Sequence, residues 1–380
     1  MSINKFQEVR NYFPYLKTGK IYFNHAAIGP IPTPVNNSIN EYLNYRSELY
    51  NGTDDPYSDI SESAKNKLAH ILNVNSNYIA WVDNISNSMS ILAQGIEWKK
   101  GDRIILNDIE FPANIYPFLN VKEFGVEIDF AKSKNGIVDL PQIEMLVTPR
   151  TKLIVISFVQ FLTGYRANLK TIGEFCKQKN IILCVDGIQG VGAIQIDLKK
   201  CNIDFFAGGT QKWLMGLQGL SYFYISPNLL NKLNQKFIGW NSVKDAWNFT
   251  DYNLIFLDDA KKFENGTLTK IGIVALNASL NILKEIGAES IEKSILDNTE
   301  YFLYLLIENG YKVILKNVER KNLSGIITLV HNNSNEIIKE LMNKKIICTV
   351  RQGMLRLSPH FYNTKDEIEL VVKELLKIKI

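Results

Sequence analysis

The chain has 380 residues, of which 46% are hydrophobic and 22% are charged, the composition of an ordinary globular protein with more than one domain. Its 43 basic and 39 acidic residues give a net charge of +4 and are spread along the chain, which argues against nucleic acid as a partner. No apolar stretch approaches 18 residues and no signal-peptide pattern is present, so we expect no membrane partner and a cytoplasmic location.

Short apolar segments alternate with helical patterns over the first two thirds of the chain. The candidate strands lie at residues 78–82, 103–106, 126–130, 153–156, 181–185, 203–206 and 222–225. Residues 169–178, between two of these segments, carry apolar residues at helical spacing. Apolar strands separated by helices predict an α/β fold with a mostly parallel sheet covered on both faces. The ligand site of such a sheet lies at the carboxyl ends of its strands.

The pattern changes after about residue 265. Two long helical stretches are followed by short apolar segments and a closing helix, at residues 271–286, 291–308, 312–315, 325–330, 346–350, 355–357 and 365–377. We therefore predict a large domain over residues 15–265 and a smaller α+β domain over residues 266–380. The first 14 residues are expected to pack against the small domain.

Two residues at predicted strand ends carry the chemistry. Asp186 ends the apolar run IILCVD, and Lys212 lies in DFFAGGTQKWLMGLQG, just after the next predicted strand. A pyridoxal phosphate (PLP) site needs such a pair, because the amine forms a Schiff base and the carboxylate keeps the pyridine nitrogen protonated. Alone, Asp186 would more often cap the following turn, and a single lysine is usually a solvated surface group.

Other polar residues could complete such a site. Thr210 and Gln211 offer donors for a phosphate, and Gln189 could bond to a phenolic oxygen. The segment from Asn84 to Ser90 begins where a strand gives way to a helical pattern, a position that favours anions, although plain N-capping is the more frequent use. The four histidines and four cysteines show no ligand spacing, so no metal and no disulfide is expected.

Seven segments resemble, in order along nearly the whole chain, the class V aminotransferase family. They are FNHAAIGPIP, NISNSMSILA, IEFPANIYPF, VDGIQGVGA, GGTQKWLMGLQG, FENGT and LRLSPHFYNTKDEI. The family comprises PLP enzymes of fold type I, including cysteine desulfurases, selenocysteine lyases and isopenicillin N epimerase-like proteins. The resemblance implies that fold, PLP as the cofactor, and an amino acid or keto acid as the substrate.

The resemblance also implies a role for each matching residue. Lys212 would form the aldimine with PLP and Asp186 would pair with its ring nitrogen. The other implied cofactor contacts are Gln189 to the 3-hydroxyl, Phe111 to the ring, and Ser86, Asn87 and Thr210 to the phosphate. Thr267 would reach the phosphate of the cofactor bound in a neighbouring subunit, which implies a homodimer with shared sites. Arg356 would grip the substrate carboxylate, with His25 and Ala27 as further substrate contacts.

The departures from the family pattern bear on the reaction. Phe111 stands where desulfurases have a histidine stacked on the cofactor, and Gln211 stands where they usually have a histidine before the lysine. The stretch RQGMLR, from Arg351 to Arg356, lacks the loop that carries the persulfide-forming cysteine, and Cys348 lies in a predicted strand. We therefore favour an aminotransferase. The alternatives are a carbon–sulfur or carbon–selenium lyase, an epimerase, and a non-catalytic scaffold protein without PLP.

Overall fold

A computed structural model describes residues 3–49 and 54–378. Its helices are α1 (Ile3–Arg10), α2 (Thr33–Asn44), α3 (Ile60–Leu72), α4 (Ile85–Gly95), α5 (Tyr116–Asn120), α6 (Leu140–Glu144), α7 (Leu169–Lys179), α8 (Pro227–Leu230), α9 (Lys270–Ile286), α10 (Ala288–Glu308), α11 (Ser334–Asn343) and α12 (Lys365–Lys377). Its strands are β1 (Ile21–Tyr22), β2 (Ile79–Val82), β3 (Arg103–Asn107), β4 (Glu127–Ala131), β5 (Thr151–Ser157), β6 (Ile182–Asp186), β7 (Phe205–Gly209), β8 (Ser221–Ile225), β9 (Ile327–Leu329), β10 (Ile346–Ile347), β11 (Thr349–Arg351) and β12 (Met354–Leu357).

A seven-stranded sheet forms the centre of the fold, in the order β2-β8-β7-β6-β5-β3-β4. Only β8 runs antiparallel to its neighbours, so the predicted mostly parallel sheet is confirmed. Strand β7 lies further along the chain than predicted, because it continues through Gly208 and Gly209. Glycine is disfavoured in strands, but a Cβ atom at Gly208 would collide with the side chain of Tyr222 on β8.

The C-terminal part contains a three-stranded antiparallel sheet in the order β11-β12-β9. The predicted strand at 346–350 is divided into β10, which pairs with β1, and β11, which pairs with β12. Cys348 lies between them, where the chain changes its partner. The strand predicted at 312–315 is wrong: Val313 forms only an isolated bridge to Leu329 there.

The N-terminal segment lies against the C-terminal part. The ring of Phe13 is 4.1 Å from that of Tyr362, and Arg10 donates a hydrogen bond of 2.6 Å to the Tyr362 carbonyl. Helix α9 packs on α2 and α3, and one hydrophobic core cluster includes residues from both parts of the chain. The domain boundary near residue 265 therefore stays a prediction.

By length and composition, no single helix in the described part of the chain could cross a membrane. Helices α9 and α10 meet that test only as a pair, and they are bent by 80° relative to each other.

The carboxyl ends of three central strands meet at one edge of the large sheet. Asp186, the last residue of β6, is in register with Ser157 at the end of β5 and with Ala207 on β7. Strand β7 ends three residues before Lys212. The topology therefore brings the two predicted chemical residues to the same edge, as expected of a parallel sheet.

Candidate active site

A cavity of about 440 Å³ opens at this edge of the sheet. Predicted site residues in its lining are Ala27, Ser86, Phe111, Asp186, Gln189, Lys212 and Arg356. They come from loops and elements that are distant in sequence, and the strand ends bring them together. The structure thus places the amine, the carboxylate and the guanidinium around one space.

Asp186 is a buried carboxylate with 3% of its surface exposed. One of its oxygens accepts a hydrogen bond of 2.9 Å from the backbone N–H of Ile188. Burial raises the pKa of Asp186, and nearby Glu110 raises it further, whereas Lys212 lowers it. A positive group in the cavity would stabilise the charged form of a carboxylate in this position.

Lys212 lies among other cations. Burial lowers the pKa of its amine, and Arg356 and Arg351 lower it further, although Asp186 opposes the shift. Its Nζ atom lies 6.0 Å from the centre of the Phe111 ring. A lowered pKa leaves more of the lysine as the neutral amine, which is the form that attacks an aldehyde.

The backbone at Lys212 is held by a close contact with Gly29. The Gly29 N–H donates a hydrogen bond of 2.8 Å to the Gln211 carbonyl. A Cβ atom at position 29 would fall inside van der Waals contact with the Lys212 carbonyl oxygen. Glycine is therefore required here by the close approach of two backbone segments.

Arg356 on β12 is only 2% exposed. Its Nη1 atom donates a hydrogen bond of 2.6 Å to the carbonyl of Phe161. Its buried Nε atom has no hydrogen-bond partner among the described residues. Burial lowers the pKa of Arg356, and Arg351 lowers it further. A buried guanidinium with an unpaired donor, on a residue that lines the cavity, is suited to a carboxylate ligand.

Gln189 lines the cavity, and both the nitrogen and the oxygen of its side-chain amide already form hydrogen bonds. Its nitrogen donates a hydrogen bond of 2.9 Å to the Ala26 carbonyl, and its oxygen accepts one of 3.0 Å from the indole of Trp213. The amide retains one N–H for a ligand.

Glu110 is a buried carboxylate that sequence reasoning missed. It accepts hydrogen bonds from the side chains of Asn107, Asn114, Ser157 and Gln160 and from the backbone N–H of Ser157. No cation is paired with it in the described part of the chain. Its position could have identified Glu110 as a candidate, since Ser157 ends β5 and Glu110 follows the end of β3. Site residues of parallel sheets lie at these strand ends.

His25 and Thr210 were predicted site residues, but the structure does not bring their side chains to the cavity. The imidazole of His25 is fully buried, with its Nε2 atom 2.5 Å from the Tyr362 hydroxyl. The Thr210 hydroxyl is committed to the carbonyls of Leu217 and Leu220. The structure therefore places the His25 ring and the Thr210 hydroxyl outside the lining of this cavity, and their roles stay predictions.

Asn87 and Thr267 line a neighbouring cavity of about 440 Å³. Asp83, which sequence reasoning also missed, lines both cavities and accepts hydrogen bonds of 2.7 and 2.8 Å from the Asn87 amide. Helix α4 begins between the cavities, and the side chain of Asn84 caps it by accepting from the Asn87 N–H at 2.8 Å. Among the residues predicted to bind phosphate, Ser86 and Gln211 line the first cavity, as does Asn84 at the start of the predicted anion segment.

The donor set around the first cavity fits PLP. Lys212 offers an amine, Asp186 a buried acceptor for a protonated ring nitrogen, Arg356 an unpaired buried donor, and Phe111 an aromatic face. Together with the parallel sheet and its covering helices, this arrangement defines a fold type I PLP-dependent enzyme.

Comparison with known proteins agrees with this class. Residues 21–371 match the family model "Aminotransferase class-V". Similar proteins include the uncharacterized aminotransferase YcbU of Bacillus subtilis (26% identical, covering 97% of both chains) and a probable cysteine desulfurase of Methanothermobacter thermautotrophicus (27% identical, 98% of both). The apo structure of a cysteine desulfurase from Thermococcus onnurineus NA1 has the same fold, with a TM-score of 0.88 at 22% identity over 98% of this chain and 97% of that one.

The chain therefore belongs to the class V aminotransferase family. It is a PLP-dependent enzyme of the class V type, and its relatives include both aminotransferases and desulfurases. The predictions of family, fold type and cofactor are confirmed. The role of each residue stays a prediction.

Proposed function

We propose that this chain is an aminotransferase that acts on the α-amino group of an amino acid, with Lys212 as the residue that carries PLP. The observation that supports it best is the convergence of Lys212, Asp186 and Arg356 on one cavity. PLP, when bound, withdraws electrons from the α-carbon of an amino acid.

Lys212 serves in this proposal as nucleophile and then as base. Its lowered pKa lets the amine lose its proton near neutral pH, and the same amine can then accept the α-proton of a bound amino acid. Asp186 supplies a fixed negative charge in the wall of the same cavity. Its burial makes that charge costly unless a cation faces it, which favours a protonated partner.

Arg356 orients the substrate by its carboxylate. Its Nη1 atom is held by the Phe161 carbonyl, so the guanidinium plane is fixed before a ligand arrives. Phe111 contributes an apolar face close to Lys212 and can neither donate nor accept a proton. Proton transfer at the α-carbon is therefore left to Lys212.

The cysteines favour transfer over desulfuration. None of the four, all of which lie in the described residues, lines the cavity. Burial raises the pKa of Cys348 to about 12, so its thiolate, the reactive form, is scarce. A lyase is the second candidate, because several relatives carry the name probable cysteine desulfurase.

We also propose a homodimer with shared sites in the cytoplasm. Thr267 lies outside the first cavity, on the neighbouring one, as a residue that serves another subunit would. Both cavities share Asp83 and Gly219, so a partner copy at this face would be close to either site.

The test is a product screen. Purified PLP-loaded protein is incubated with single amino acids and a keto acid acceptor, and keto acid, ammonia, sulfide and D-isomer are measured. We expect keto acid and a new amino acid in equal amounts, and no products from Lys212→Ala. Release of ammonia or sulfide without amino transfer would establish a lyase, and D-isomer alone would establish an epimerase.

A further inference from the structure

Two arginines project from one face of the same hairpin. Strands β11 and β12 are joined by a two-residue turn in which Gln352 and Gly353 have φ values of 49° and 74°. Arg351 pairs with Met354, and Arg356 lies two residues beyond Met354 on the same face. The two arginines are thus diagonal neighbours, with backbones about 7–8 Å apart. Both line the first cavity.

Neither guanidinium has a carboxylate partner among the described residues. Arg356 bonds to the Phe161 carbonyl, and Arg351 bonds to the carbonyl of its neighbour Val350 at 3.1 Å. Burial is the main cause of the lowered pKa of Arg356, and the positive charge of Arg351 lowers it further. Like charges on one sheet face are unfavourable unless an anion binds between or beside them.

The acids in the cavity wall are already engaged. Asp186 accepts from Ile188 and faces Lys212, whereas Asp83 holds the amides of Asn84 and Asn87. The hairpin face therefore keeps two uncompensated positive charges, one deep and one exposed. A monocarboxylate ligand would neutralise one of them and leave the other.

We propose that the substrate is an amino acid with an acidic side chain, such as glutamate or aspartate. This inference rests on the proposed function and names the substrate class of the same site. The α-carboxylate binds the buried Arg356, and the side-chain carboxylate binds Arg351 at the mouth. The rings of Phe111 and Phe161, which meet edge to face at 5.4 Å, form an apolar wall beside the two arginines.

Isosteric substrates test the second carboxylate site directly, because glutamate and glutamine differ in charge but hardly in shape. We expect wild-type kcat/KM to favour glutamate over glutamine, or aspartate over asparagine, by at least about tenfold, equivalent to 1.4 kcal/mol. Arg351→Gln should remove most of that preference through a higher KM for the acid, and Arg351→Lys should restore part of it. Arg150→Gln is the matched control, because Arg150 is exposed and lies outside this cavity.

A binding readout needs no turnover. Glutarate should raise the melting temperature of the PLP-loaded protein more than butyrate does at equal concentration, and Arg351→Gln should abolish the difference. Wild-type protein that uses glutamine as well as glutamate, and asparagine as well as aspartate, would overturn the proposal. So would an Arg351→Gln variant that loses PLP and both substrate types equally, since Arg351 would then serve the cofactor.

Failure of the proposed function looks different. If no amino acid yields a transfer product but glutarate still stabilises the wild type through Arg351, the dianion site stands and the aminotransferase assignment falls. If amino transfer occurs with neutral amino acids only, the aminotransferase stands and the acidic substrate class falls.

Discussion

The ion pair between Lys65 and Glu264 offers a stability prediction with a worked magnitude. Lys65 on α3 and Glu264 lie 2.6 Å apart, with side-chain exposures of 1% and 7%. Glu264 also accepts a hydrogen bond of 2.9 Å from the backbone N–H of Trp81. The segment that begins at Glu264 leads to Thr267. Replacing Lys65 with methionine keeps most of the side-chain volume but leaves the carboxylate buried without its cation.

We expect Lys65→Met to lower the free energy of unfolding by about 3–5 kcal/mol at pH 7, the range for breaking a buried pair on one side. Burial already raises the pKa of Glu264, and loss of Lys65 raises it further. A carboxyl group with a raised folded-state pKa destabilises the fold increasingly as the pH rises above its unfolded-state pKa, and fully above the folded-state pKa. The deficit of the variant should therefore shrink as the pH falls toward the ordinary glutamate pKa of about 4.3, where the group is protonated in both states.

Urea unfolding of the PLP-free protein at pH 7 and pH 5 measures both effects. Lys261→Met is the matched control, because Lys261 pairs with Glu62 at 2.8 Å in a far more exposed setting, and it should cost at most about 1 kcal/mol. Adding Glu264→Gln to Lys65→Met should recover much of the loss, since it removes the unpaired charge and keeps an acceptor for Trp81. A Lys65→Met deficit equal to that of the control, or one that grows on acidification, would refute the reasoning.

Three further substitutions test the site. Asp186→Asn should retain PLP but slow turnover by about 10²–10⁴-fold, the range for loss of a positioned acid–base group. An unaltered kcat would show that Asp186 does not pair with the ring nitrogen. Cys348→Ser should leave activity within about twofold of wild type in the same product assay, whereas loss of sulfide release would revive the desulfurase mechanism. Gly29→Ala should lower kcat at least about tenfold by displacing the Lys212 backbone, with circular dichroism showing a folded protein; full activity would show that the two segments can separate freely.

The sheet and the chemical pair could be predicted because they depend on local pattern. Apolar runs define the parallel strands, and the strand-end rule then places Asp186 and Lys212 at one edge without any knowledge of contacts. The short strands of the C-terminal part were harder to predict, because their extent depends on the strand with which each segment pairs. Val313 forms only an isolated bridge, and the segment around Cys348 is divided between two partners.

The side-chain environment of the site could not be read from the sequence. Glu110 accepts hydrogen bonds from two stretches of chain, 107–114 and 157–160. Their positions at strand ends indicate the shared edge of the sheet, but not these hydrogen bonds. His25 lies two residues from Ala27, yet its ring enters the core and bonds to Tyr362 near the other end of the chain. The direction in which a side chain points at such a position is set by tertiary packing.

The central claim is that Lys212 carries PLP, and reductive trapping tests it most directly. Purified protein is treated with borohydride, digested and examined by mass spectrometry, with Lys212→Ala treated in parallel. We predict a visible absorbance band that disappears on reduction and a phosphopyridoxyl mass on the peptide that contains Lys212, absent from the variant. A label on another lysine, or a colourless protein that takes up no added PLP, would contradict the account.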